Sequence, residues 1–193
     1  MTIPNEISQA AAYQQSLLTA LGGDDPAVAQ ATTPAAIRAL IADAGADLRT
    51  RPEPGEWSVL GCIDHIVDAE LVMAARYRFV IAHDEPEIVG YDQDLWVDRL
   101  HAVDPDVDAL VSFFEALRTA NLALWAQTTE AERERFGVHR ERGRESLQLM
   151  FDMIGGHDRV HLGQARRTLE AVRTRRCDPG GVPTAWSRRR PSR

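Results

Sequence analysis

The chain has 193 residues, of which 44% are hydrophobic, and these values predict one folded domain with a sizeable core and exclude a disordered chain. No stretch approaches 18 consecutive apolar residues and the first residues lack a signal-peptide pattern, so neither a membrane span nor a secretory leader is expected. Two cysteines cannot form a disulfide framework, and we expect a cytoplasmic location.

Charge divides the chain into two parts. All 22 basic residues are arginines and 29 residues are acidic, which gives a net charge of -7. Seven arginines and one aspartate give residues 173–193 a charge of +6, whereas residues 1–172 carry -13. An acidic body is a poor partner for phosphate backbones, so we expect no nucleic-acid binding. The basic segment is interpreted as an irregular, solvated tail.

Helical periodicity extends over most of the chain, and no alternating β-branched run predicts a strand. The pattern predicts a first helix over residues 4–21, followed by a break at residues 22–26. Thr33-Pro34 predicts the start of a second helix, because threonine caps helices and proline favours the first turn. The segment over residues 52–55, rich in proline and glycine, ends that helix.

Three further helices follow. Ser58 caps a helix over about residues 59–82, and Asp104-Pro105 starts another that ends near Gln127. A charged connector over residues 130–144 leads into the last helix. Four long amphipathic helices and an additional N-terminal helix predict an all-α bundle.

Three of the six histidines differ from the others in position. His157 and His161 are four residues apart, so they share one helix face, and they continue its apolar stripe. His65 lies on the apolar side of its own helix. Buried imidazoles without partners are costly, and a divalent metal is a partner that such a pair can share. Spacing alone also allows a pair of packed core histidines, since His-x-x-x-His arises often by chance.

Small residues lie close in sequence to these histidines. Gly155-Gly156 directly precedes His157 inside a helix, where each glycine costs about 1 kcal/mol relative to alanine. Close helix–helix packing and space for a metal or ligand both explain these glycines. Cys62, three residues before His65, is interpreted as a small core side chain rather than as a ligand.

Five segments of the chain share the pattern of a known family. They are Arg51-Pro-Glu-Pro-Gly-Glu-Trp-Ser58, His65-Ile-Val-Asp-Ala-Glu70, Gly90-Tyr-Asp-Gln-Asp-Leu-Trp96, His139-Arg-Glu-Arg-Gly143 and Gly156-His-Asp-Arg-Val-His161. With these segments the chain resembles the DinB-like family of metal-binding helical bundles over about residues 33–172. The resemblance implies a four-helix bundle with one divalent metal between two helices, and His65, His157 and His161 match the three ligands of the family.

The resemblance also divides the chain and suggests chemistry. Residues 1–32 would be an N-terminal helix and connector, residues 33–172 the bundle, and residues 173–193 the tail. Family members are described as metal-dependent hydrolases or as thiol S-transferases that use bacillithiol or mycothiol. A site of three histidines leaves one coordination position open, which is the catalytic arrangement, and Zn or Ni is the expected metal.

Two classes of function remain open at this point. The first is a metal-dependent hydrolase or thiol S-transferase acting on small electrophilic substrates, with mycothiol as the thiol that the lysine-free composition favours. The second is a non-catalytic binding or stress-response protein in which the metal stabilises the bundle or senses a ligand, and this class needs no accessible pocket. Pairing of two chains is a further expectation, because bundles of this type often pair.

Six other residues are candidates near the site. Asp68 and Asp158 could accept an imidazole N–H or act as a base, and the alternative for each is a solvent-exposed helix carboxylate. The remaining four are assigned to the wall or rim of a substrate pocket: Trp57, Tyr91, Trp96 and His139. The alternative for the aromatic residues is packing, and for the histidine it is an exposed position in the connector.

Overall fold

The structure, a computed structural model, describes residues 3–100 and 106–177, and side chains for residues 11–100 and 106–176. Seven helices occur in this part of the chain: α1 (Ile3–Leu21), α2 (Pro26–Ala44), α3 (Val59–Ala82), α4 (Gln93–Leu100), α5 (Val107–Gln127), α6 (Glu130–Arg133) and α7 (Leu147–Cys177). Three short strands accompany them: β1 (Glu87–Ile88), β2 (Phe136–His139) and β3 (Gly143–Ser146).

Helices α2, α3, α5 and α7 form the bundle. Helix α7 packs against α2 and α3, and α5 packs against the same two helices from the other side. Helix α1 lies along α7. The predicted four-helix bundle with an additional N-terminal helix is confirmed. Within the described ranges, no helix is long and apolar enough to cross a membrane.

Capping residues fix where two of the bundle helices begin. The hydroxyl of Ser58 accepts a hydrogen bond from the backbone N–H of Gly61 at 3.0 Å, as predicted for the start of α3. Asp106 caps α5 in the same way. The predicted Asp104-Pro105 start and residues 178–193 lie outside the described residues. Helix α7 continues to Cys177, past the predicted beginning of the tail.

The predicted start of the second helix at Thr33 is wrong. Helix α2 begins at Pro26, because the carboxylate of Asp25 accepts hydrogen bonds from the backbone N–H groups of Ala27 and Val28. The predicted boundary between residues 32 and 33 therefore falls inside α2.

Pro34 lies inside α2 and leaves one carbonyl without its helical donor. Proline has no backbone N–H, so the carbonyl of Gln30, four residues earlier, loses its partner. The Nη1 group of Arg118 on α5 donates a hydrogen bond to that carbonyl at 2.9 Å. The proline that predicted a helix start thus interrupts the backbone hydrogen bonds inside α2, and a side chain of α5 supplies the missing donor.

The interior of the bundle contains two apolar clusters. The first includes Ile37, Leu40, Val59, Ile63, Ile66, Phe114, Leu162, Ala165 and Leu169. The second includes Leu17, Ala69, Met73, Tyr77, Trp125, Met150, Phe151 and Ile154. Buried polar side chains separate the two clusters along the four bundle helices: Gln30, Thr33, His65, Asp68, Glu70, Arg118, Asn121, His157, Asp158 and His161. We call this set the polar layer.

Gly156 brings α7 into contact with the backbone of α1. A β-carbon at this position would lie 2.6 Å from the carbonyl carbon of Leu17 and closer still to its oxygen, which no packing tolerates. At Gly155 the nearest atom is instead the end of the Leu21 side chain, at 3.1 Å. Close helix–helix packing is therefore the structural reason for Gly156.

Substituting Gly156→Ala is expected to lower the free energy of unfolding by about 1–3 kcal/mol, because α1 must move away from α7. Urea denaturation followed by circular dichroism measures this loss. Gly163→Ala on the same helix is the matched control, since its β-carbon would approach only the Nη1 atom of Arg167 within 3.4 Å. The control should gain up to about 1 kcal/mol from helix propensity. Equal stability of the two variants would contradict the close contact of α1 and α7.

The absence of strands predicted from the sequence is wrong. Strand β1 pairs in parallel with β2, and β2 pairs antiparallel with β3. The strands have two to four residues, which is too short for alternation to show. A β-carbon at Gly137 would lie 2.6 Å from the side chain of Ile88, so only glycine lets β1 approach β2 here. This pairing places His139 beside Ile88.

Candidate functional site

Helices α3 and α7 bring the three predicted histidines together. The Nε2 atoms of His65 and His157 lie 2.9 Å apart, and the ligand atoms of all three histidines lie within 4.8 Å of one another. The ring centroid of His161 is 4.4 Å from that of His65 and 4.3 Å from that of His157. All three side chains are buried in the polar layer.

Burial keeps the three imidazoles neutral. Burial is the main cause, and the neighbouring His161 the second, of the lowering of the pKa of His65 to about 3. Burial likewise holds the pKa of His157 well below its ordinary value and lowers that of His161. A neutral imidazole has a free nitrogen lone pair, so the neutral form is the one that binds a metal ion.

Two neighbouring side chains orient the imidazoles. The Nδ1 atom of His161 lies 2.9 Å from Oε1 of Gln164, and an amide oxygen accepts there only if Nδ1 carries the proton. The lone pair of His161 then belongs to Nε2. The indole of Trp57 packs on the cluster, with its ring centroid 5.0 Å from that of His65 and 6.1 Å from that of His161.

The cluster fits a divalent cation with one coordination position left open. Nitrogen ligands of a tetrahedral zinc ion lie about 3.3 Å apart, a value between the 2.9 Å of the His65–His157 pair and the 4.8 Å within which all three ligand atoms lie. Within the described residues, no further histidine, cysteine or carboxylate joins the three. Cys62 is buried in the first apolar cluster, and burial raises the pKa of its thiol to about 12. Its interpretation as a core side chain agrees with this position.

Neither candidate carboxylate is solvent-exposed. Asp158 is buried, and its Oδ2 accepts hydrogen bonds from Nη1 of Arg118 at 2.6 Å and from the hydroxyl of Thr33 at 2.7 Å. These hydrogen bonds thus join Asp158 to residues of α2 and α5 rather than to an imidazole. Asp68 is also buried, and its charge acts on Tyr91, whose pKa is raised mainly by burial.

A buried ion network lies beside the histidines, and the sequence patterns did not indicate it. Arg118 pairs with Asp158 and, through Nη2, with Oε2 of Glu70 at 2.8 Å. Asn121 donates to the other oxygen of Glu70 at 2.7 Å. Arg118 is four residues after Phe114 on the apolar face of α5, and a charged residue at such a position is the signal that could have revealed the network.

A cavity of about 590 Å³ leads from solvent to the histidine cluster. His65 and His157 line it, together with apolar side chains of the second cluster and of α1. Exposed residues of the loop after β1, among them Val89 and Asp92, also line it, so the cavity is accessible from outside. Its volume lies within the range of small-molecule sites.

The structure separates the four predicted pocket residues. Tyr91 and His139 line the cavity, whereas Trp57 and Trp96 do not. Trp57 packs on the imidazoles, and the ring of Trp96 lies 4.5 Å from that of Tyr91, so both have a supporting position. The alternative position for His139, exposed in the connector, is wrong, because the β-sheet buries this residue.

Comparisons with known proteins agree with this architecture. A family model described as the DinB superfamily matches residues 28–165, most of the chain. Two proteins of Oceanobacillus iheyensis, each named "putative metal-dependent hydrolase", are 24% identical over 119 residues and 26% identical over 115 residues. Each alignment covers 60% of this chain and 66% of the relative, slightly less than two thirds of the relative's length.

A solved structure has a similar fold. It is described as "YfiT from Bacillus subtilis is a probable metal-dependent hydrolase with an unusual four-helix bundle topology". The two structures superimpose with a TM-score of 0.65 and 18% sequence identity, over 83% of this chain and 86% of the other. At this level of identity the likeness shows the four-helix bundle fold.

Proposed function

Because the chain belongs to the DinB superfamily, we propose that it is a metal-dependent enzyme acting on small electrophilic substrates, as a hydrolase or as a thiol S-transferase. One observation carries this proposal: the accessible cavity ends at His65 and His157. A metal that only stabilised the bundle would need no accessible cavity. The non-catalytic binding or stress-response alternative is therefore the second choice.

Each part of the site has a role in this proposal. His65, His157 and His161 hold the cation, with Zn or Ni as the metals that suit three imidazoles. When bound, the cation supplies Lewis acidity to a ligand at its open coordination position. Gln164 keeps the proton of His161 on Nδ1, and Trp57 packs on the imidazole rings. Both contacts fix the direction of the nitrogen lone pairs.

Hydrolysis is the first reaction to consider, because the curated relatives are named for it. Thiol S-transfer is the second, because the cavity of about 590 Å³ is large enough for a small substrate beside part of a thiol such as mycothiol. The cytoplasmic location, the pairing of two chains and the lack of nucleic-acid binding belong to the same proposal.

Turnover with added metal tests the proposed function. Purified protein is loaded with Zn or Ni and assayed with p-nitrophenyl esters for hydrolysis, and with monobromobimane plus mycothiol, bacillithiol or cysteine for S-transfer. We expect metal-dependent turnover in one of the two assays and its loss after chelation. Metal binding that raises the melting temperature without turnover in either assay would favour the non-catalytic alternative.

A further inference from the structure

We propose that the cavity holds a carboxylate group of its ligand between the Nε2–H of His139 and the guanidinium of Arg76. The proposal deepens the proposed function, because the same cavity leads to the histidine cluster. It names the chemical class of the substrate, a small carboxylic acid whose remaining part extends towards His65 and His157.

His139 presents one hydrogen-bond donor to the cavity. It is the last residue of β2, and 2% of its surface is exposed. Its Nδ1 accepts a hydrogen bond from the backbone N–H of Glu141 at 3.2 Å, so the proton of the neutral ring is on Nε2. Among the described residues, that Nε2 has no hydrogen-bond partner. A buried donor without a partner is costly, and a ligand oxygen in the cavity would satisfy it.

The residue that packs against this buried donor is a glycine, the smallest possible cover. Gly90 lines the cavity, and a β-carbon there would lie 3.4 Å from Nε2 of His139. A longer side chain at this position would reach across the imidazole edge. The pairing of β1 with β2 holds this loop and His139 in place.

Arg76 presents a second donor. It lines the same cavity from α3, and its Nη2 donates to the carbonyl of Val89 at 2.6 Å, which fixes the guanidinium. Its Nε is buried and has no acceptor among the described residues. A guanidinium stays charged in proteins, so this donor also carries positive charge.

Two partly buried cations, Arg76 and Arg142, act at this wall together with the buried carboxylate of Glu145. After burial, the charges of Arg142 and Arg76 lower the pKa of His139, which shows that both cations act on the imidazole. Glu145 opposes them, but its carboxylate is already bound by Arg142 at 2.5 Å and by Gln14 at 2.6 Å. An anionic ligand group is therefore favoured over a neutral one.

The other charged residues of the cavity lie at its rim. They are exposed, and solvent screens them: Glu87, Asp92, Arg140 and Glu141. Deeper in the cavity the wall is apolar, with Leu17, Met73 and Ile154. A ligand with an anionic end and an apolar body matches this distribution.

Binding of hexanoate, with 1-hexanol as the neutral probe, tests the proposal. Isothermal titration calorimetry is carried out on the zinc-loaded protein and on the chelated protein, and the chelated protein excludes carboxylate binding to zinc. We expect saturable hexanoate binding to both forms and at least about tenfold weaker binding of hexanol, the size of one charge-assisted hydrogen bond.

Two substitutions of His139 isolate the donor. In His139→Asn the side-chain oxygen can still accept from the Glu141 N–H, but no N–H reaches the Nε2 position. His139→Gln restores a donor near that position. We expect the asparagine variant to bind hexanoate about tenfold more weakly, the glutamine variant to recover part of the loss, and hexanol binding to stay unchanged.

A readout on the wild-type protein makes the test independent of the variants' folding. The Nε2 resonance of His139 in a ¹⁵N spectrum should shift on addition of hexanoate and not of hexanol. An unshifted resonance, absence of saturable hexanoate binding, or equal affinity for both probes would overturn the proposal. Hexanoate binding without any turnover would instead count against the proposed function alone.

Discussion

Replacing His157 with alanine is expected to abolish metal binding. Metal content after gel filtration should fall from about one equivalent per chain to background. Removing a residue that only supports a ligand typically lowers the metal affinity about 10- to 100-fold, and removing a ligand itself should lower it more. The fold should persist, since the two apolar clusters do not depend on the imidazole. Elemental analysis and circular dichroism measure the two effects.

His83→Ala is the matched control for this substitution. His83 is an exposed histidine at the end of α3 and lies outside the cluster, so its loss should leave the metal content unchanged. Metal retained by the His157→Ala variant would show that the three histidines are not the ligands. Loss of folding in that variant would favour a structural metal and the non-catalytic alternative.

Replacing Arg118 with methionine is expected to lower the free energy of unfolding by about 3–5 kcal/mol at neutral pH. The substitution leaves Glu70 and Asp158 buried without their cation and removes the donor to the carbonyl of Gln30. Chemical denaturation at pH 7 measures the loss. Arg38→Met is the control: Arg38 pairs with Glu115 at the surface, where solvent weakens the interaction, so we expect little change.

The loss in the Arg118→Met variant should depend on pH. Burial raises the pKa of Glu70, whereas Arg118 lowers it, so removing Arg118 leaves the raising effect unopposed by the nearest cation. When the pKa of a carboxyl is higher in the folded than in the unfolded chain, the free energy of unfolding of the protein falls as the pH rises between the two values. The deficit relative to wild type should therefore shrink when the pH is lowered from 7 to 5. A deficit that does not change with pH would contradict this assignment.

The sequence predicted what depends on periodicity. The spacing of His157 and His161 placed both imidazoles on the inner face of one helix, and the structure brings His65 to the same place. The bundle itself followed from four amphipathic segments, and the family match supports it. These features repeat every three to four residues, so a single chain shows them.

Periodicity along the sequence does not predict contacts between helices. The ion pairs of Arg118 join α5 to α3 and α7, and no spacing along one helix reveals such partners. Pro34 suggested a helix start because proline favours the first turn of a helix. It lies inside α2 instead, where Arg118 of another helix donates to the carbonyl that Pro34 leaves without a partner. His139 looked exposed because only the pairing of three short strands buries it.

The polar layer also fixes how far each helix can slide along the bundle axis. One helical turn advances a helix by about 5.4 Å, so a slide of α7 by one turn would carry Asp158 away from Arg118 and towards apolar neighbours. The same slide would separate His157 and His161 from His65. The axial alignment that keeps the charges paired is thus the alignment that assembles the histidine cluster, so errors in helix register are penalised before any metal binds.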